Sequence, residues 1–176
     1  MKESKEGILM KPVADALLVI DLQNGVCYDE TPIHNLTKVV KETNQRIDDY
    51  DRAGKTIIFI QHEDEELIPE TEMWELLPEL FLPAKSYFVR KIHANSFYHT
   101  NLQELLAKNE CRSLEICGAQ TEYCIDTTVK FAHGLGYVLW MRRGGTTTYS
   151  NDYMTAETTI NFYEKIWNRR FLTFIE

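Results

Sequence analysis

Only 8 glycines and 5 prolines occur in 176 residues, too few for a collagen-like repeat, a Pro-rich linker or a low-complexity coil. Cysteine is sparse as well. The four thiols, Cys27, Cys111, Cys117 and Cys124, show neither CxxC spacing nor the density of a secreted disulfide scaffold, so reduced thiols and a cytoplasmic location are expected. No run approaches the roughly 20 apolar residues of a membrane span, and the polar start MKESKEG has no apolar stretch of the kind a leader peptide needs. Basic residues are outnumbered: 19 Lys plus Arg against 27 Asp plus Glu give a formal net charge of -8. Such a surface repels phosphate backbones and anionic lipid, so neither nucleic acid nor a membrane is an expected partner.

Nucleotide and metal motifs are missing too. Gly54-Lys55-Thr56 resembles the end of a phosphate-binding loop, but Asp49 stands where the loop requires glycine and the segment leads into a strand. No GxGxxG occurs, and Gly134-Leu135-Gly136 lies between a helix end and a strand, where glycine permits a left-handed cap. His62, His93 and His99 fall at neither HxxxH nor HExxH spacing. No cofactor and no metal are expected.

What is present is 44 % hydrophobic and 26 % charged positions, the balance of one globular domain over 1–176. Six segments rich in β-branched or aromatic residues, 16–21, 56–61, 87–91, 114–118, 137–141 and 171–175, read as strands, most of them apolar enough to be buried on both faces. Helical periodicity lies between them. It is clearest in Leu36, Val39, Val40, Ile47 and Tyr50 after the cap candidate Asn35, and in Leu102, Leu105 and Leu106 after Thr100 with Gln103 three residues on. A third helix places Ile125, Thr128, Val129 and Ala132 on one face, and a fourth Ala156, Ile160, Tyr163 and Trp167. This alternation predicts a three-layer α/β/α fold: a six-stranded, mostly parallel sheet with helices on both faces and right-handed crossovers.

The segment 63–85 breaks the rhythm with Pro69, Pro78, Pro83 and a run of acids. Its short stripe of Met73, Trp74, Leu76 and Leu77 predicts a long loop with one or two helical turns, which reads equally as a lid or interface piece and as a plain surface excursion. Together with Leu80, Phe81 and Leu82 it is apolar for a surface segment, which predicts a homo-oligomer.

In an open parallel sheet, functional groups gather at the carboxyl ends of the strands. That rule selects Asp21 after the first strand, Lys91 at the end of the third, and Cys124 in the helix that follows the fourth. With Thr121 as N-cap, Cys124 occupies the first helical turn, where the helix dipole and Lys91 would lower the thiol pKa. Asp21 would take the thiol proton and return it to a leaving group. Taken singly, an Asp at a strand end caps loops, a Lys is a solvated charge and a helical Cys is a small hydrophobe. Their meeting at three strand ends favours chemistry. A thiol-redox protein, with Cys27 as the resolving thiol, and a metabolite-binding module remain alternatives.

Three blocks carry a family resemblance. They are Leu17-Leu18-Val19-Ile20-Asp21-Leu22-Gln23-Asn24; Lys91 with Ser96, Phe97, Thr100 and Leu102; and Cys117-Gly118-Ala119-Gln120-Thr121-Glu122-Tyr123-Cys124-Ile125, continuing through Thr128 to Gly136-Tyr137. In these the chain resembles the isochorismatase-like cysteine hydrolase superfamily, which includes nicotinamidases. The resemblance implies the isochorismatase-like α/β fold and an Asp21, Lys91, Cys124 triad that opens an amide or related carbonyl through a thioester. It further implies a cis peptide at Ala119-Gln120 and an oxyanion hole from the Gln120 and Cys124 amides. Dimers and tetramers are implied as well. The D-x-H, H metal pattern of nicotinamidases has no counterpart in Gln61-His62-Glu63-Asp64-Glu65-Glu66. Nicotinamide is therefore less favoured than another small amide, ester or thiocarbamate-like substrate. Gln23, Tyr28, Gln61, Trp74, Phe97 and Tyr123 are the candidate walls for a small planar or apolar ligand.

Overall fold

Successive residues of a strand point to opposite faces, so a strand apolar at every position needs a core on both sides. The first strand, β1 (Ala16–Ile20), meets that requirement. Ala16, Leu18 and Ile20 enter one buried cluster, Leu17 and Val19 the other. The computed structural model describes residues 12–176; the segment read above for a leader lies outside them.

Around β1 stand β2 (Thr56–His62), β3 (Tyr87–Lys91), β4 (Ser113–Ala119), β5 (Val138–Arg142), β6 (Thr146–Thr147) and β7 (Thr173–Ile175). The sheet runs in the order β3-β2-β1-β4-β5-β7, and every pairing between these strands is parallel. The six expected strands are all there. A seventh, the two-residue β6, pairs Thr146 and Thr147 with Gly118 and Ala119 at the end of β4. The order reverses between β1 and β4, and the crevice at such a switch point is where open α/β sheets place their ligands.

Helix α2 (Leu36–Arg52) covers one face through Leu36, Val39, Ile47 and Tyr50. The other face is covered by α3 (Leu102–Lys108), α4 (Asp126–Gly134) and α5 (Ala156–Trp167), whose Leu102, Leu106, Val129, Ala132 and Trp167 share the first cluster. A single turn, α1 (Asn24–Cys27), follows β1. One buried ionic knot pins α2 to the sheet. Arg46 donates from Nε and Nη2 to Glu115 of β4 at 2.8 and 2.6 Å, and from Nη1 to Asp49 at 2.6 Å. Tyr50 adds its hydroxyl to Glu115 at 2.9 Å.

The helix starts differ from the expected caps. Asn35 adopts φ 53° and turns its amide to His34 Nε2, so α2 has no side-chain cap; asparagine tolerates that left-handed conformation. Thr100 accepts the Leu102 N–H at 3.3 Å but precedes the cap residue Asn101. Thr121 bonds to Thr146 and caps nothing; the cap position is Gln120, and the first turn, Thr121–Ile125, is a π turn in which the Ile125 N–H reaches the Gln120 carbonyl.

Segment 63–85 contains turns and no helix. Its apolar residues are used in other ways: Leu77 and Leu80 fill the second core, and the Trp74 ring lies 4.8 Å from the Arg90 guanidinium. Its backbone is stitched to the start of the chain by the Asn24 N–H to the Glu75 carbonyl, the Gly25 N–H to Met73, and the Leu77 N–H to the Leu22 carbonyl.

Candidate active site

Asp21 directly follows β1 with φ 50°, its N–H held by the Ile60 carbonyl at 2.9 Å. The carboxylate is thereby turned toward the crevice, and Lys91 Nζ donates to its Oδ2 at 2.7 Å. The Lys91 side chain is 0 % exposed. It also reaches Cys124 Sγ at 3.2 Å and His62 Nδ1 at 3.1 Å. The third contact follows from register, since His62 and Lys91 are cross-strand partners on β2 and β3. Carboxylate, ammonium and thiol are thus gathered from β1, β3 and the turn after β4.

The approach to Cys124 has unusual backbone. Gly118 sits at φ +125°, and a Cβ there would lie 2.0 Å from the Ile20 carbonyl oxygen. Only glycine lets β4 come that close to β1. The next peptide, Ala119-Gln120, is cis, and the π turn then presents Cys124.

Burial pushes the Cys124 thiol up to about 12, the Asp21 carboxylate pushes the same way, and Lys91 opposes both. This corrects the expectation of a lowered thiol pKa. Lys91 is already paired with Asp21, and an ion pair offers the sulfur far less net field than a lone ammonium, so desolvation prevails. This direction favours a neutral thiol at rest. Asp21 Oδ1 is buried and has no hydrogen-bond partner among the described residues, which leaves one carboxylate oxygen open to a proton.

A cleft of about 380 Å³ opens over this cluster. Asp21, His62, Asp64, Glu66, Gln120, Tyr123 and Cys124 line it, and Gly25, Val26 and Leu67 complete the lining. Other hollows, of about 330 to 460 Å³, hold no cysteine. Of the six candidate wall residues only Tyr123, 58 % exposed, is brought to the cleft. Gln23 is 0 % exposed: its Oε1 accepts the His62 N–H at 2.7 Å, and its Nε2 donates to the His62 and Trp74 carbonyls at 3.0 and 2.7 Å. Gln61 is likewise spent on the Trp74 carbonyl. Phe97 packs in the core against Phe131 and Tyr137, and Tyr28 pairs with Pro32 away from the cleft.

The residues missed by sequence reasoning are His62, Asp64 and Glu66. His62 ends β2 as Lys91 ends β3, so the strand-end rule applies to it equally. Burial and then Lys91 hold its imidazole below the usual range. A metal does not suit this set. His62 Nδ1 is occupied by the Lys91 ammonium and Nε2 faces Asp64 at 3.4 Å. Among the described residues no three His, Cys, Asp or Glu side chains converge as metal ligands.

A parallel α/β sheet that gathers these groups at its switch point has the layout of a hydrolytic α/β enzyme. Comparison with known proteins narrows the class. The family model "Isochorismatase domain" matches residues 15–163. YddQ of Bacillus subtilis (strain 168), an uncharacterized isochorismatase family protein, is 30 % identical over 129 residues, covering 70 % of this chain and 72 % of that protein. A solved isochorismatase family protein superposes with a TM-score of 0.89 at 43 % identity, covering 92 % of this chain and 97 % of the other. N-carbamoylsarcosine amidase of Thermoplasma acidophilum shares the fold with a TM-score of 0.78 at 17 % identity, covering 92 % and 95 %. The chain belongs to the isochorismatase family and is an enzyme of that hydrolase kind.

Proposed function

We propose that the protein is a cysteine hydrolase that cleaves the C–N bond of a small amide through a thioester on Cys124, with Asp21 and Lys91 as its partners. The observation that carries this reading is the buried Lys91 ammonium, 2.7 Å from Asp21 and 3.2 Å from Cys124, two residues that line a cleft. With a neutral resting thiol, proton loss accompanies attack. Asp21 Oδ1 takes the thiol proton as Sγ bonds to the carbonyl carbon, and Lys91 balances the growing negative charge on sulfur. The Gln120 and Cys124 amides serve as donors to the carbonyl oxygen. The tetrahedral adduct collapses and the C–N bond breaks, with Asp21 returning its proton to the departing amine. Water then adds to the thioester and yields one proton to Asp21, which restores the Cys124 thiol as the carboxylic acid leaves.

The hydrolase class draws support from a relative named streptothricin hydrolase, from Streptomyces noursei, 26 % identical over 137 residues, a match that covers only half of that protein. The fold also serves proteins named as amidases, N-carbamoylsarcosine amidase and the pyrazinamidase of Pyrococcus horikoshii. Nicotinamide, esters and thiocarbamates are the alternative substrates. A thiol-redox role is less well supported, because Cys27 is buried in the second core. We assign the protein to a reducing, cytoplasmic setting on its four free thiols, and to a homo-oligomer, dimer or tetramer, on the exposed Phe81, Leu82 and Phe88. Among the described residues no helix is long and apolar enough to cross a membrane.

The test is ammonia release from a panel of small primary amides, nicotinamide included, by the wild type and Cys124→Ala. Turnover that vanishes in the variant is the expected result. Turnover that survives in Cys124→Ala, or none with any amide, refutes the amidase reading.

A further inference from the structure

A lysine ammonium has three N–H donors, and in a buried site each needs an acceptor. Lys91 has three partners: Asp21 Oδ2 at 2.7 Å, His62 Nδ1 at 3.1 Å and Cys124 Sγ at 3.2 Å. Its side chain has no exposed surface, so bulk water does not stand in for a missing one. Two of the three belong to the chemistry proposed above. The third is unassigned.

We propose that His62 is a positioning residue for Lys91: a neutral imidazole, protonated on Nε2, whose Nδ1 accepts the third N–H of the ammonium and fixes its direction between Asp21 and Cys124. An imidazole that accepts through Nδ1 carries its proton on Nε2, and here Nε2 faces Asp64 Oδ2 at 3.4 Å. Asp64 is itself held still, because its Oδ1 takes the Glu66 and Leu67 N–H groups at 2.9 and 2.8 Å. Gln23 grips the His62 backbone from both sides. The ring therefore has a fixed main chain, an anion behind it and a cation in front. Without it, one N–H of a buried ammonium is unpaired, and the ammonium can turn away from the sulfur.

The arrangement makes the site sensitive to acid. The groups facing His62 are Lys91 at the end of β3, Asp21 after β1, Asp64 and Glu66 in the loop after β2, Cys124 in the π turn, and His93 in the loop after β3. Burial first, then Lys91 and His93, disfavour the imidazolium, while Asp21 and Asp64 favour it; the balance lies below 6.5. When His62 does gain a proton it gains it on Nδ1. Lys91 then loses its acceptor and faces a second cation.

The inference rests on the hydrolase reading for its consequence but not for its geometry, and its test separates the two. The full chain labelled with [15N]histidine is titrated by NMR, the His62 signals being identified by their loss in His62→Asn. At pH 7 the expected spectrum has the proton on Nε2 and a bare, hydrogen-bonded Nδ1, with a midpoint below 6.5. A proton on Nδ1, or a midpoint at or above 6.5, overturns the proposal. The second arm is hydrolysis of an amide the wild type cleaves. Asparagine keeps an oxygen near the Nδ1 position and does not titrate, so His62→Asn should keep kcat several-fold above that of His62→Leu and move the acid limb of its pH profile to lower pH. His62→Leu should lower kcat about tenfold with KM little changed. Equal losses in both variants with the acid limb intact overturn it. A chain that cleaves no amide refutes the amidase reading alone, and the nitrogen spectra still decide where the His62 proton sits.

Discussion

Replacing Gly118 by alanine tests how the sheet builds the site. Gly118 pairs with Ile20 in the β1–β4 register, and an added Cβ would stand 2.0 Å from the Ile20 oxygen, 2.8 Å from its nitrogen and 2.9 Å from its carbonyl carbon. Even a close C···O contact needs about 3.3 Å, so the two strands must part by about 1 Å at this point. Every obstructing atom is backbone, so no side chain can swing aside. Alanine must in addition adopt φ near +125°, which L residues rarely do. Overpacking and backbone strain each cost about 1–3 kcal/mol, and together they place the variant about 2–6 kcal/mol below the wild type, centred on about 4 kcal/mol. With a urea m-value of about 2 kcal/mol/M, the unfolding midpoint falls by about 2 M. Because Ile20 leads directly into Asp21, the same parting draws the carboxylate from the thiol, and a misplacement of that size costs about a hundredfold in kcat. Gly134→Ala is the control: it meets nothing within 4 Å and lies in α4, so it should be neutral or slightly stabilising. A Gly118→Ala chain that unfolds at the wild-type urea concentration with undiminished turnover would refute this account of the β1–β4 contact.

Two further outcomes are expected. With the Cys124 thiol held up at about 12, its alkylation by iodoacetamide, followed by peptide mass, should climb steadily with pH through the alkaline range; a plateau near pH 8 would show a resting thiolate and refute the neutral-thiol mechanism. Arg46→Met should cost about 3–5 kcal/mol by stranding buried Glu115, and Arg46→Met with Glu115→Met should recover most of it, read by urea unfolding; a double variant no more stable than the single would show that the knot is not a paired-charge effect.

Much of the architecture was legible because burial on both faces leaves an unbroken apolar run, as in Ala16–Ile20 and in Ile57, Ile58, Phe59 and Ile60 of β2. The two-residue β6 leaves no such trace. The spacing of Met73, Trp74, Leu76 and Leu77 suggests helical turns in segment 63–85 that are not there, and Leu77 and Leu80, expected at the surface, complete a core that spacing alone does not reveal. The strand-end rule picked out Asp21, Lys91 and Cys124, which the structure gathers within hydrogen-bonding distance of one ammonium. It passed over His62 because histidine was weighed only as a metal ligand. Gln23 and Gln61 were read as ligand contacts, but a buried amide beside a strand end has backbone groups to satisfy first. The sign of the thiol shift escapes a sequence reading because burial of the sulfur, the largest cause, is not visible there, and because Lys91 is already bound to an anion.

Many of the hydrogen bonds that tether segment 63–85 end on main-chain atoms of that segment. Gln23 and Gln61 donate to the Trp74 carbonyl, Asn24 to the Glu72 and Glu75 carbonyls, Gly25 to the Met73 carbonyl, and the Leu77 N–H returns to Leu22. Bonds of this kind do not depend on which side chain the tethered residue bears. Exposed positions such as Ile68 and Met73 are therefore free to change while the segment keeps its place, and Glu66 and Leu67 on the cleft wall lie just upstream on the same strip of chain. The enzyme carries a replaceable faceplate: substrate range can be retuned in front without disturbing the reacting groups mounted behind.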